Sequence, residues 1–256
     1  MSKHTSKQLA EADIRAILRA ADEIIAEGGR TLLAKILKGS REKKVLLLGL
    51  NDCPTYGWFR AEKLEGVMHK IDWMIAHDFL DIQYSGKLPM IIFTDRGWEI
   101  EADQRADEFL SEWDQWLEDG EPSPDMYYLK DRNRHIILLF LEKIGETGDS
   151  KYIPYLKEWE IVDYKKVRAK IRSTIDKLEA KSPIDLSAVN ERTESIHEAL
   201  KGEAPQDLLL KCWECGDRFT FSVGEQQFYK QKGFVYPKRC PKCREKREME
   251  RFGLFE

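Results

Sequence analysis

No stretch of this 256-residue chain is apolar for long enough to cross a bilayer. The longest such run, Ile136–Leu141, falls far short of the roughly 20 residues a spanning helix needs. The N-terminus lacks the apolar core of a secretory signal, so a cytoplasmic location is expected. There is no Gly-x-x-x-x-Gly-Lys-Ser/Thr loop, which excludes a nucleotide-driven motor of that type within these residues. No His/Asp/Ser set and no isolated carboxylate pair stands out, so no catalysis is expected. Cysteines are few and odd in number: five, of which four form two Cys-x-x-Cys pairs. That usage fits a reducing compartment and a metal better than a disulfide framework. Positive charge is not in excess either, the formal net charge being −4.

What is present is charge of both signs, sharply segregated. Between Arg30 and Lys44 six basic residues (Arg30, Lys35, Lys38, Arg41, Lys43, Lys44) face one acid, Glu42. Between Glu99 and Asp125 eleven acids face Arg105 alone, and from Lys238 to Arg247 the balance turns basic again. Such asymmetry says more about partners than the total does. The acids of 99–125 are too many and too evenly spread to read as a catalytic pair, and a solvated helix face accounts for them. Seven Trp and eleven Phe supply material for packed cores.

Apolar spacing predicts helix over 7–37, broken near Gly28-Gly29, and again over 61–77, where Leu64, Met68, Ile71, Met74 and Ile75 recur with the helical period. The period then changes to that of strands, Phe79 to Tyr84 and Met90 to Thr94, around a Ser85-Gly86-Lys87 turn. Helices followed by one hairpin predict a winged helix with its wing tip at 85–89. An acidic helix is predicted over 103–117, with Phe109, Leu110, Trp113 and Trp116 on one side, and three helices over 131–180. The polar, proline-bearing 181–207 reads as a linker with at most a short helix. The expected class is mainly α with small β. Its parts are a winged-helix domain with flanking helices over 1–125, a helical segment over 126–182, a linker over 183–207 and a four-cysteine module with a basic tail over 208–256.

The strongest chemical signal is Cys212-x-x-Cys215, then 24 residues, then Cys240-x-x-Cys243. A two-residue gap lets one tight turn aim both sulfurs at a point, and two such knuckles complete the four-sulfur tetrahedron of one structural zinc ion. A closed shell leaves no open position for catalysis. An iron–sulfur cluster and four unrelated thiols are the alternatives, and the paired spacing favours zinc over both. The shell's formal charge of about −2 would be offset by Lys211, Arg239 and Lys242. Cys53 has no partner in the sequence and reads as a small buried hydrophobe. The segment Lys211-Cys-Trp-Glu-Cys-Gly, Gly224-Glu-Gln-Gln-Phe-Tyr and Pro237-Lys-Arg-Cys-Pro-Lys-Cys-Arg resembles zinc-ribbon modules over about 208–247. The basic exit from Lys242 to Arg251 reads equally as a nucleic-acid contact or as a solvated helix.

Gly29-Arg30-Thr31-Leu32-Leu33, Leu37-Lys38-Gly39-Ser40, Tyr56-Gly57, Ile75 to Leu80 and Phe93-Thr94-Asp95-Arg96-Gly97 appear in the order and spacing of the RQC domain. This is the winged helix that follows the motor core of RecQ-type DNA helicases. The resemblance covers about 14–100 and implies DNA binding. On its own chemistry, Lys38-Gly39-Ser40 reads as a turn opening a new helix, with Ser40 able to cap and free amides facing an anion. Lys43 and Lys44, with Arg41 between them and Ser40, add charge there. By the resemblance, Lys38, Ser40 and Lys44 hold the DNA backbone, and Arg60 and Lys63 lie near the duplex. At the wing, Tyr84 and Leu88 flank the tip residue Lys87. Either could stack on a terminal base pair, and Tyr84 could equally be an ordinary strand residue. The tip departs from the aromatic or His that strand-separating relatives carry.

Leu141 to Leu156, with its Ile-Gly-x-x-Gly-Asp turn and Pro154, and Asp163 to Ile171 resemble one HEAT-type helical repeat, implying a scaffold; a plain helical spacer is the other reading. Together these features lead to an expected non-catalytic DNA-binding protein. It would be accessory to repair, recombination or a helicase, and would work in the cytoplasm or at the nucleoid on duplex DNA, an end or a fork. No membrane or small-molecule substrate is expected. The alternative is a protein-interaction adaptor or transcriptional regulator whose winged helix and helical repeat bind protein.

Overall fold

The computed structural model describes residues 8–85, 88–122, 124–232 and 234–251. They form two compact units, one of 23–92 with 203–251, the other of 8–22 with 93–202.

In the first unit, α2 (Arg30–Lys38) buries Leu32, Leu33, Ile36 and Leu37, a spacing that places all four on one face. That face packs on α4 (Leu64–Ala76), which buries Val67, Ile71 and Met74. Each such side chain contributes about 1.5–3 kcal/mol on leaving water. Between them lies the short α3 (Lys43–Leu47), anchored by Val45. β1 (Leu80–Ser85) and β2 (Leu88–Phe93) pair as a two-stranded sheet. The chain at 26–28 ties onto β2, Ala26 N donating to Ile91 O at 2.9 Å and Ile91 N to Gly28 O at 2.8 Å. This is the winged-helix order that the sequence predicts.

The same unit holds the cysteine module. β3 (Leu208–Lys211) and β4 (Arg218–Phe221) pair antiparallel, Leu208 opposite Phe221 and Lys211 opposite Arg218. Two helices follow, α11 (Val223–Lys232) and α12 (Pro241–Arg251). Phe221 is buried and meets Tyr229 and Tyr236 edge-on at 5.1 and 5.0 Å. That is a small core, as expected of a module that a metal completes.

The second unit is helical. α1 (Glu11–Asp22) packs on α5 (Asp95–Asp119), which also packs on α7 (Arg134–Thr147). α6 (Tyr127–Lys130), α8 (Ile153–Val162) and α9 (Lys165–Glu179) complete the layer. Trp113 is fully buried at its centre, edge-on to Phe140 at 4.9 Å, Tyr155 at 5.5 Å and Trp159 at 5.8 Å. The acidic helix begins eight residues before its predicted start, because Thr94 caps it by accepting from Gly97 N at 3.1 Å. The sequence predicts a linker over 183–207; Leu186–Leu200 instead form the fifteen-residue α10. Asp185 caps α10, accepting from Ser187 N at 3.1 Å and Ala188 N at 3.2 Å. Ile196, Ala199 and Leu200 bury one short stripe of α10, which packs on α5. So narrow a stripe leaves little periodic signal in the sequence.

Candidate metal centre and nucleic-acid interface

The four ligand atoms of Cys212, Cys215, Cys240 and Cys243 all lie within 4.8 Å of one another, with Cys215 Sγ 3.9 Å from Cys240 Sγ. A tetrahedron with metal–sulfur bonds of about 2.3 Å has sulfur–sulfur edges of about 3.8 Å, so the donors already stand at coordinating separations. The first knuckle closes through Cys212 N donating to Asp217 O at 2.8 Å and Gly216 N to Cys212 O at 3.0 Å. Main-chain amides, that of Cys215 foremost, draw the Cys212 thiol down to about 6, while the neighbouring Cys240 thiol pushes Cys243 up to about 12. Four crowded thiols cannot all ionise without a cation among them, and a divalent ion is what such a set fits. The residues are positioned to hold one zinc ion.

The second pair does not sit on a hairpin, as a ribbon would place it. Cys240 directly precedes α12 and Cys243 lies in its first turn, with Arg244 N donating to Cys240 O at 3.0 Å. Of the cations expected to offset the site's charge, Arg239 is engaged by Glu214 at 2.8 Å, and Glu214 also holds Arg247 at 2.9 Å.

In the winged helix, Lys38 closes α2, and Gly39 is its left-handed C-cap, donating to Ile36 O at 2.9 Å. Ser40 N donates to Lys35 O at 2.9 Å, and Ser40 Oγ accepts from Glu42 N at 3.3 Å. The expected helix start at Ser40 is therefore corrected. α3 begins three residues later, at Lys43, with Glu42 as N-cap, and the amides of Gly39, Ser40 and Glu42 are already spent. What gathers here is side-chain charge. Lys38 Nζ donates to the Arg60 carbonyl, and the Tyr56 hydroxyl donates to Ser40 O at 3.0 Å. Arg41, Lys43, Lys44 and Lys63 are exposed and have no ion-pair partner among the described residues; Lys63 is the N-cap of α4.

A cavity of about 440 Å³ lies between α2, α3 and the hairpin, and its lining brings Lys44 together with Tyr84 and Leu88. Arg30 and Lys35 also line it and were absent from the predicted set, though the basic run contains both. Arg30 is paired with Asp72, and Lys35 with Glu42 at 2.6 Å. Tyr84 is part-exposed and Leu88 is 63% exposed. Lys87, with Gly86, lies outside the described residues.

Residues 8–108 match the family model of the RQC domain. That match takes in less than half of the chain and is a likeness of its N-terminal segment to the RQC domain. Residues 206–251 match the family described as "Probable treble clef domain". The hairpin followed by the second cysteine pair at the start of α12 agrees with that description, which replaces the ribbon predicted from the sequence. The chain is also 31% identical over 72 residues to the ATP-dependent DNA helicase RecQ of Bacillus subtilis (strain 168). That match covers 28% of this chain and 12% of the helicase, so the chain corresponds to a small part of that relative. No solved structure matches.

Proposed function

We propose that this chain is a non-catalytic DNA-binding protein, accessory to a helicase or to DNA repair or recombination. It would hold duplex DNA by its phosphates at the α2–α3 turn and the neighbouring wing. The RQC domain and the RecQ likeness support a DNA-binding, helicase-related role. The observation that carries the finer reading is the approach of two distant segments. Lys38 reaches the carbonyl of Arg60, 22 residues on, while Lys44 shares a cavity with Tyr84 and Leu88. A lysine tied to the next loop and another placed beside an aromatic and an apolar wing residue suit a phosphate-and-base partner better than a scatter of solvated lysines does.

The test is fluorescence-anisotropy binding of the zinc-loaded chain to blunt duplex, forked duplex, single strand and RNA across a salt series. Salt-steep binding that favours duplex ends or forks is expected. Weak binding that ignores nucleic-acid structure would transfer the role to the second reading, a protein-interaction adaptor or transcriptional regulator. One feature favours that second reading: Leu46, Leu47 and Leu48 are successive and exposed, at 47%, 73% and 57%.

A further inference from the structure

Trp213 sits between the first two cysteines of the metal centre, yet it is 73% exposed. An indole is a large apolar group that folding ordinarily hides, and this one is held out deliberately rather than left loose. Its backbone N donates to Lys238 O at 2.9 Å, tying the first knuckle to the irregular segment that leads to Cys240. The Lys238 ammonium stands 4.6 Å from the ring centroid, a cation–π placement. The Trp213 backbone is thus held by the knuckle and a main-chain bond, and its ring by the Lys238 ammonium over one face. Little further ordering would be needed for a flat ligand to use it.

The surroundings are cationic and form a shallow, open depression. Next to Trp213, Glu214 clasps both Arg239 and Arg247. These two line a cavity of about 650 Å³ together with Arg244, Arg251, Glu248 and Glu250. Arg244 donates one guanidinium N–H to the Tyr229 hydroxyl at 2.7 Å, while its Nε is buried with no hydrogen-bond partner among the described residues. Guanidinium forks match phosphate oxygens, and an exposed aromatic face matches a base.

We infer that this face of the treble clef binds single-stranded DNA, an unpaired base stacking on Trp213 while the strand's phosphates follow the arginine-lined groove. Inside a duplex the bases are already stacked on one another, which leaves only a terminal pair for the indole, whereas every base of a single strand is available to it. An acidic protein surface would engage the arginines but leave the indole without a counterpart. The choice of DNA over RNA rests on the winged-helix reading above.

The experiment uses the full zinc-loaded chain and labelled oligothymidine, oligouridine and blunt duplex, read by anisotropy at fixed salt. Trp213→Ala is expected to weaken oligothymidine binding about tenfold, the usual scale for removing one stacked base. Blunt-duplex affinity should be unchanged, and Trp213→Phe should keep most of the single-strand affinity. Zinc content, measured on every variant, should stay at one per chain. Lys38→Ala with Lys44→Ala should show the opposite pattern, so the two readings fail separately. If wild type binds duplex normally and Trp213→Ala leaves oligothymidine binding intact, the inference is wrong and the winged-helix reading survives. If duplex binding is absent while oligothymidine binding depends on Trp213, the reverse holds. A preference for oligouridine over oligothymidine would overturn the assignment to DNA.

Discussion

Gly39 and Gly57 meet back to back: both hold φ near +75°, and a Cβ on Gly39 would stand 3.1 Å from the Gly57 Cα. The approach is fixed by main-chain bonds, Gly57 N to Ile36 O and Phe59 N to Leu37 O, each 2.9 Å. A Cβ on Gly57 would come within 2.9 Å of the Arg60 guanidinium. Gly57→Ala therefore imposes left-handed strain of about 1–2 kcal/mol and pushes Arg60 aside. A melting point lowered by several degrees is expected, with a few-fold loss in duplex affinity. A melting point equal to wild type would contradict the contact.

If the winged helix neutralises about four to six phosphates, duplex affinity should fall with salt at a log–log slope of about −4 to −5. Lys38→Ala combined with Lys44→Ala removes two of those contacts. Binding should weaken for all sequences alike, and the slope should flatten by about 2. The check is the slope itself, since a mere loss of stability would lower the active fraction without changing it.

The metal centre makes a prediction about dependence. The treble clef offers few buried side chains beyond Phe221 and the ligands Cys212 and Cys240. Binding energy of the metal is then folding energy. One zinc per chain is expected by elemental analysis. A strong chelator, or Cys240→Ser, should open 206–251 to protease, with cleavage sites mapped by mass spectrometry. Unchanged protection after complete metal removal would mean that the aromatic cluster holds the module alone.

The legible parts of this molecule were those with a strong period or a fixed spacing. The four cysteines announced a metal centre, and the switch from helical to alternating spacing at Phe79 announced the wing. The apolar side with Trp113 and Trp116 is one of three surfaces on which the sequence lets the 141–171 helices pack, the others being the winged helix and a partner; Tyr155 and Trp159 are the residues that meet it, which nothing local singles out. Helix α10 leaves almost no period in the sequence, because only Ile196, Ala199 and Leu200 of its fifteen residues are buried. The capping role assigned to Ser40 failed for a different reason. Lys-Gly-Ser suits the end of one helix as well as the start of another, and the left-handed Gly39 that decides between them is a backbone fact. Arg30 and Lys35 escaped because their place beside Tyr84 depends on how the hairpin folds back.

Glu101 gives the pH prediction. It is fully buried on α5, where desolvation first, and the nearby Asp22 second, raise its pKa well above 4.5. Arg19 opposes this from nearby, but its guanidinium is engaged by Glu108 at 2.8 Å. Gln104 Nε2 donates to Glu101 Oε2, while Oε1 has no partner among the described residues. The folded chain thus holds the Glu101 proton more tightly than the unfolded chain does. The stability tied to that proton is complete below the unfolded value and is lost as pH rises through the folded one. Glu101→Gln keeps the shape and removes the titration. Its melting point should equal wild type near pH 4 and exceed it at pH 8. The sign of that difference, nil at pH 4 and positive at pH 8, is the outcome to be read. If Glu101→Gln lowers stability at pH 8 as much as at pH 4, Glu101 is ionised and bound to Arg19, and the neutral buried carboxyl is the wrong description.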